Sequence, residues 1–105
     1  MRYAICNETF EGWDHAHVCR FAAGLGYTGL ELAPFTLAPR ITDVTAEQRH
    51  ELRAEAEECG LKLIGLHWLL AKTEGLHLTS NDEGVRQRTA DYLVELAKCC
   101  RDLGG

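Results

Sequence analysis

The sequence predicts an α/β fold: three consecutive βα units with parallel strands, forming part of a (β/α)8 barrel. Three observations carry this prediction. Short apolar runs alternate with helical stripes along all 105 residues. Each stripe ends on a glycine that leads into the next run: Leu25-Gly26 before Tyr27-Thr28-Gly29-Leu30-Glu31-Leu32, and Cys59-Gly60 before Leu61-Lys62-Leu63-Ile64-Gly65-Leu66-His67. A third stripe reaches Leu103-Gly104-Gly105, where the pattern calls for another strand, so residues 1–105 read as the N-terminal part of a larger barrel. Connections long enough to hold a helix join adjacent parallel strands by right-handed crossovers.

The first strand covers residues 2–7. Asp14 is placed to cap the first helix, in which Val18, Phe21, Ala22 and Leu25 recur at i, i+3, i+4 and i+7, the spacing of one buried face. Gly26 takes the left-handed conformation that ends it. The second strand, residues 28–33, stops at Pro34, which has no N–H to extend a buried ladder. A loop containing Pro39 runs to Thr45, where Thr45-Ala46-Glu47-Gln48 has capping-box form. The helix it opens is densely charged. Its narrow apolar stripe of Leu52, Ala56 and Cys59 predicts a surface helix touching the sheet along one edge.

The third strand covers residues 61–67, and a loop over 69–79 follows. Ser80-Asn81-Asp82-Glu83 is a second capping box, with serine as the expected cap. Val85, Thr89, Tyr92, Leu93, Leu96, Ala97, Cys100 and Leu103 then make the strongest helical stripe in the chain.

Alternation along the strands separates a barrel from a doubly wound sheet. Leu30 and Leu32 share one face, with Gly29, Glu31 and Ala33 on the other. Strict alternation puts Ile64 and Leu66 opposite Leu63, Gly65 and His67, and Tyr3 and Ile5 opposite Ala4 and Cys6. One face is bulky and suited to lie under helices. The other is mostly small, with Glu31 and His67 near the C-terminal ends. A doubly wound sheet carries helices on both faces and favours bulky residues on both. A small face with polar groups at its top suits a barrel mouth, where barrel active sites lie.

Composition narrows the function classes. An apolar content of 46% with 26% charged residues is ordinary for a soluble globular chain of one domain. The net charge of −5, with both signs interleaved, argues against a nucleic-acid surface, which needs a basic stripe. A small anionic substrate stays open, since a few local cations suffice to hold one. Five cysteines (Cys6, Cys19, Cys59, Cys99, Cys100) form no C-x-x-C pair and no signal peptide is visible, so reduced thiols in a cytoplasmic protein are expected. The longest apolar stretch, residues 61–71, is interrupted by Lys62 and His67 and is too short to span a bilayer, so no membrane partner is expected. No Walker loop, G-x-G-x-x-G or G-x-S-x-G occurs.

Glu31 lies between leucines on a strand expected to be buried. A buried carboxylate costs several kcal/mol unless paired, which calls for a partner or a role. His67, on the same predicted face, is a candidate metal ligand, substrate hydrogen-bond donor or general acid, or else a histidine satisfied by a loop carbonyl. Trp68 beside it is a candidate pocket wall or simply an aromatic under a loop. Glu8, in the polar turn Asn7-Glu8-Thr9-Phe10, is either ligand-facing or solvated. Lys72 and His77 lie on the loop after the third strand, where they can meet an anionic substituent or merely water. His15 and His17 fall early in a helix without the i, i+4 spacing of helical metal pairs, so both are expected to be solvated.

The wording of three segments adds a resemblance. Ala4-Ile5-Cys6-Asn7-Glu8-Thr9-Phe10, residues 26–35 (GYTGLELAPF) and residues 65–79 (GLHWLLAKTEGLHLT) are similar to the N-terminal part of the sugar phosphate isomerase/epimerase family. That family belongs to the xylose isomerase-like TIM barrel superfamily, which also includes the apurinic endonucleases. The resemblance covers essentially the whole chain. It implies proton transfer next to a sugar carbonyl through an enediolate, assisted by a divalent metal ion (Mn, Mg, Co or Zn) in the full-length barrel. It also implies that the main metal ligands and catalytic glutamates come from later strands. No catalytic residue, no tightly bound metal and no turnover are therefore expected of these 105 residues alone.

The residues expected to bind the sugar or sugar phosphate are Glu8, Glu31, His67, Trp68 and Lys72. His67 remains a possible metal ligand, because the endonuclease branch binds zinc with a histidine at this position. An endonuclease is disfavoured by the acidic balance and by the apolar Trp68-Leu69-Leu70. A non-catalytic α/β binding module is the third reading. Three parallel strands also leave two open edges, which favours homo-oligomers.

Overall fold

The computed structural model describes residues 1–105. Three strands, β1 (Ala4–Cys6), β2 (Gly29–Leu32) and β3 (Lys62–Leu66), alternate with three helices, α1 (His15–Gly24), α2 (Ala46–Glu58) and α3 (Glu83–Asp102). Short 3-10 turns occupy Asn7–Phe10, Pro34–Thr36 and Ile41–Asp43. The sheet is parallel throughout, in the order β1-β2-β3.

Local signals account for most element ends. Asp14 Oδ1 accepts the His17 N–H at 2.8 Å and starts α1. Both halves of the Thr45 capping box form: the Gln48 N–H reaches Thr45 Oγ1 at 3.1 Å, and the Thr45 N–H reaches Gln48 Oε1 at 2.9 Å. The cap of α3 is Asp82, not the expected Ser80. Asp82 Oδ1 accepts the N–H groups of Gly84 and Val85 at 2.8 and 3.3 Å, while Ser80 Oγ accepts the N–H of Asp82 itself. A full negative charge at the positive end of the helix dipole favours the aspartate. All three helices run out into glycines of positive φ, Gly26, Gly60 and Gly104.

A single apolar core lies on one side of the sheet, where Leu30, Leu32 and Leu63 meet Val18, Cys19 and Ala22 of α1, Ala56 of α2, and Tyr92, Leu96 and Cys99 of α3. Two stripes differ from expectation. In α1, Phe21 and Leu25 are exposed and Cys19 turns inward, because this short helix buries only a narrow arc. Phe21 instead packs edge-on against Phe10 and Trp13. In α3, the buried line runs Tyr92, Leu96, Cys99, Leu103, so Cys99 takes the place expected of Cys100, and Ala97 is exposed.

The β2–α2 connection is tied down by hydrogen bonds as well as by packing. Arg49 donates from Nε to the Val44 carbonyl (3.0 Å), from Nη2 to the Ile41 carbonyl (3.2 Å) and from Nη1 to Asp102 (2.9 Å). The Tyr92 hydroxyl oxygen accepts the buried Ile41 N–H at 2.9 Å. Arg49, and secondarily Arg101, hold the Asp102 carboxyl below the usual carboxylate range.

The decisive irregularity is in β3. Leu30 pairs with Leu63, but Glu31 pairs with Gly65, so Ile64 is an extra residue that the ladder skips. Leu63 is 2% exposed in the core, and Ile64 is 45% exposed on the opposite face. There, a methyl on Gly29 would meet Ile64 Cγ2 at 3.0 Å and Ala4 Cβ at 3.2 Å. Strict alternation assigned these two residues the other way round. The bulge changes parity: without it His67 would follow Leu63 toward the helices, and with it His67 joins the face of Glu31. One face of the sheet is covered by helices and the other is open, as in a segment of a (β/α)8 barrel and unlike a doubly wound sheet. No helix is long and apolar enough to cross a membrane.

Candidate functional site at the strand ends

Glu31 projects from β2 near its C-terminal end, and His67 directly follows β3, its N–H donating to the Leu32 carbonyl at 2.9 Å. Their side chains meet on the open face, His67 Nδ1 lying 3.8 Å from Glu31 Oε2, with 52% and 38% of the two side chains exposed. Glu31 is therefore not the buried carboxylate the sequence suggested. The open face leaves it hydrated, and its remaining oxygen is free to accept a ligand hydroxyl. Cys6, in register with Glu31 on β1, stays a thiol: burial, with Glu8 and Glu31 adding to it, pushes its pKa up.

A groove of about 530 Å³ is built by the segments that follow all three strands, and Trp68, the residue after His67, lines it. Glu8 lines it from the turn after β1, Phe35 and Thr36 from the turn after β2, and Trp68 and Lys72 from the loop after β3. Asn7 fixes the first two segments to each other. Its Oδ1 accepts the Ala33 N–H and its Nδ2 donates to Thr36 Oγ1, each at 2.8 Å. Phe35 is held between two neighbours, with the Trp68 ring edge-on at 5.6 Å and the Lys72 ammonium 4.5 Å from its centroid.

Trp68 and Lys72 both stand at φ +59°, in the left-handed region. Such conformations cost roughly 1–3 kcal/mol each and collect where a surrounding structure holds a side chain in a working position. The turn between them is closed by the Ala71 N–H on the Trp68 carbonyl at 3.2 Å and by Thr73 Oγ1–H on the Leu70 carbonyl at 2.6 Å.

Of the four histidines outside the Glu31–His67 pair, three bear on the sequence expectations. His15 is not simply solvated: its Nε2–H donates to the Leu52 carbonyl of α2 at 2.9 Å, and the ring lines the groove. His17 stacks on Trp13, centroids 4.3 Å apart. His77 is away from the groove, its backbone N–H on Thr89 Oγ1 and its Nδ1 against Thr79. Sequence reasoning left Phe35 and Trp13 out of the candidate set. Phe35 carried a usable signal, because the residue after a strand-ending proline stands at the C-terminal mouth.

No three His, Cys, Asp or Glu side chains converge anywhere in the chain. Glu31 and His67 offer two donors, short of the three or more protein ligands of a catalytic zinc site. The residues of this chain do not by themselves form a divalent-metal centre. The Glu31–His67 pair offers a carboxylate and an imidazole to a polar ligand, and the groove offers aromatic walls.

No protein-family model matches the sequence. No curated protein matches it either. Among solved structures, the crystal structure of D-psicose 3-epimerase in the presence of D-fructose superimposes with a TM-score of 0.77 over 99% of this chain, at 18% sequence identity. The chain spans 35% of that protein's length. At that identity the likeness is one of fold: the three βα units match part of an epimerase TIM barrel.

Proposed function

We propose that the chain forms the β1α1β2α2β3α3 part of a sugar isomerase or epimerase barrel and supplies its substrate-binding wall. The observation that carries the reading is the meeting of Glu31 and His67, 3.8 Å apart on the open face, with Trp68 following His67 into the aromatic groove. A (β/α)8 barrel places its site at the C-terminal ends of its strands, where both residues stand.

In this reading Glu31 accepts sugar hydroxyls and His67 donates to or accepts from a neighbouring one. Trp68 and Phe35 cover the C–H face of the ring, and Glu8 and Lys72 contact its outer oxygens. The reaction of the whole barrel is proton transfer next to the sugar carbonyl. The carboxylates that move the proton, and the ligands of any divalent cation, belong to other strands.

Two measurements test this. Addition of D-fructose to the isotopically labelled chain is expected to shift the NMR signals of Glu31, His67 and Trp68. Shifts confined to other parts of the surface would refute the assignment. The purified chain is expected to epimerise no ketose, and robust turnover would show that the division of labour between strands is wrong.

A further inference from the structure

The charges around the groove discriminate among sugars. We propose that it takes an unphosphorylated sugar ring and disfavours the phosphorylated form, an inference that rests on the sugar-binding reading above. Two carboxylates, Glu8 and Glu11, line the groove. The one ammonium is Lys72, already placed over the Phe35 ring. Two carboxylates against one ammonium already engaged with a ring suit hydroxyl groups, which donate to carboxylate oxygens, and repel a dianion.

The backbone offers a phosphate no better site. The helix that opens on the groove is α1, through Trp13 and His15, and Asp14 already answers its N-terminal amides with the His17 N–H on Oδ1 at 2.8 Å. A phosphate at that helix end would meet the Asp14 carboxylate and find the His17 N–H already taken. The aromatic faces point the same way. Trp13, Phe35 and Trp68 supply apolar surface for the C–H side of a ring and nothing that recognises an anion.

The chain contains two tryptophans, Trp13 and Trp68, and both line the groove, so intrinsic fluorescence reports its occupancy directly. Titrations with D-fructose and with D-fructose 6-phosphate at matched ionic strength are expected to give a saturable emission change for both, with the phosphate at least about tenfold weaker. Replacing the exposed Glu8 and Glu11 together, as Glu8→Gln and Glu11→Gln, is expected to narrow that gap about fourfold, the screened repulsion of a dianion roughly 8 Å from each carboxylate. Phosphate-ester binding as tight as that of D-fructose, or saturation by inorganic phosphate alone, would overturn the charge selection and leave the sugar reading standing. No saturable change with either sugar would overturn both.

Discussion

Leu63 and Ile64 are adjacent, similar in size and both apolar, and the bulge after Leu63 decides which of them enters the core. Leu63→Ala removes roughly three methylene equivalents, about 2.4 kcal/mol of transfer free energy. Leu63 is 2% exposed among packed neighbours, so part of the vacated space persists as a cavity. A residual void of about 30 Å³ adds roughly 0.7 kcal/mol, for a total near 3 kcal/mol. Ile64 is 45% exposed on the uncovered face, so Ile64→Ala loses about half the transfer term and leaves no void. Its cost is at most about 1.5 kcal/mol, including some lost β-branched preference for a strand. With a urea slope of about 1.5 kcal/mol per molar, the midpoints fall by about 2 M and 1 M or less. Urea titrations followed by circular dichroism resolve the two. Equal losses, or a larger loss for Ile64→Ala, would put Leu63 on the open face and refute the bulge, returning β3 to strict alternation.

Other consequences are as direct. Because Arg49 and Arg101 lower the Asp102 pKa in the folded state, the unfolded chain binds that proton first on acidification. The stability advantage over Asp102→Asn is therefore expected to be full above the ordinary carboxylate pKa of about 3.9 and to vanish as pH falls through the lower folded value, which urea midpoints at pH 7 and pH 2.5 would read. Arg49→Met removes two hydrogen bonds to the Ile41 and Val44 carbonyls and is expected to lower stability by about 2 kcal/mol, seen in the same titration. Burial pushes the Cys19 thiol up to about 12 and raises that of Cys99, so a thiol-alkylating reagent at pH 8 should label Cys59 and Cys100 first, as peptide mass spectrometry would show. Asn7→Ala frees the turn after β1 from that after β2, and the sugar-induced fluorescence change is expected to weaken severalfold while far-ultraviolet circular dichroism is retained.

Much of the fold was legible because its signals act over a few residues. Asp14 and Thr45 meet amides within one turn, Pro34 closes a strand by lacking an N–H, and glycines end the helices. Signals that depend on a partner element were read less well. Ser80 and Asp82 both lie in a cap-like tetrad, and the helix start at Glu83 decided for Asp82. Phe21 and Leu25 fit an amphipathic stripe, but the narrow arc that the short α1 buries takes in Cys19 instead. Of the site, Glu31, His67, Glu8, Trp68 and Lys72 were all visible as polar or aromatic residues near strand ends. The Asn7 clamp and the Phe35 sandwich were not, since each joins segments about thirty positions apart or more.

What the sequence determined by itself is the succession of strand, helix and stop, because caps, prolines, glycines and apolar spacing act within a turn or a pleat. What only the tertiary structure decided is which of Leu63 and Ile64 enters the core. Both are apolar and of similar size, and the choice is made by pairing with β2 and by the space beneath the helices. The shared face of Glu31 and His67, legible from alternation, became a contact of 3.8 Å only in the folded sheet.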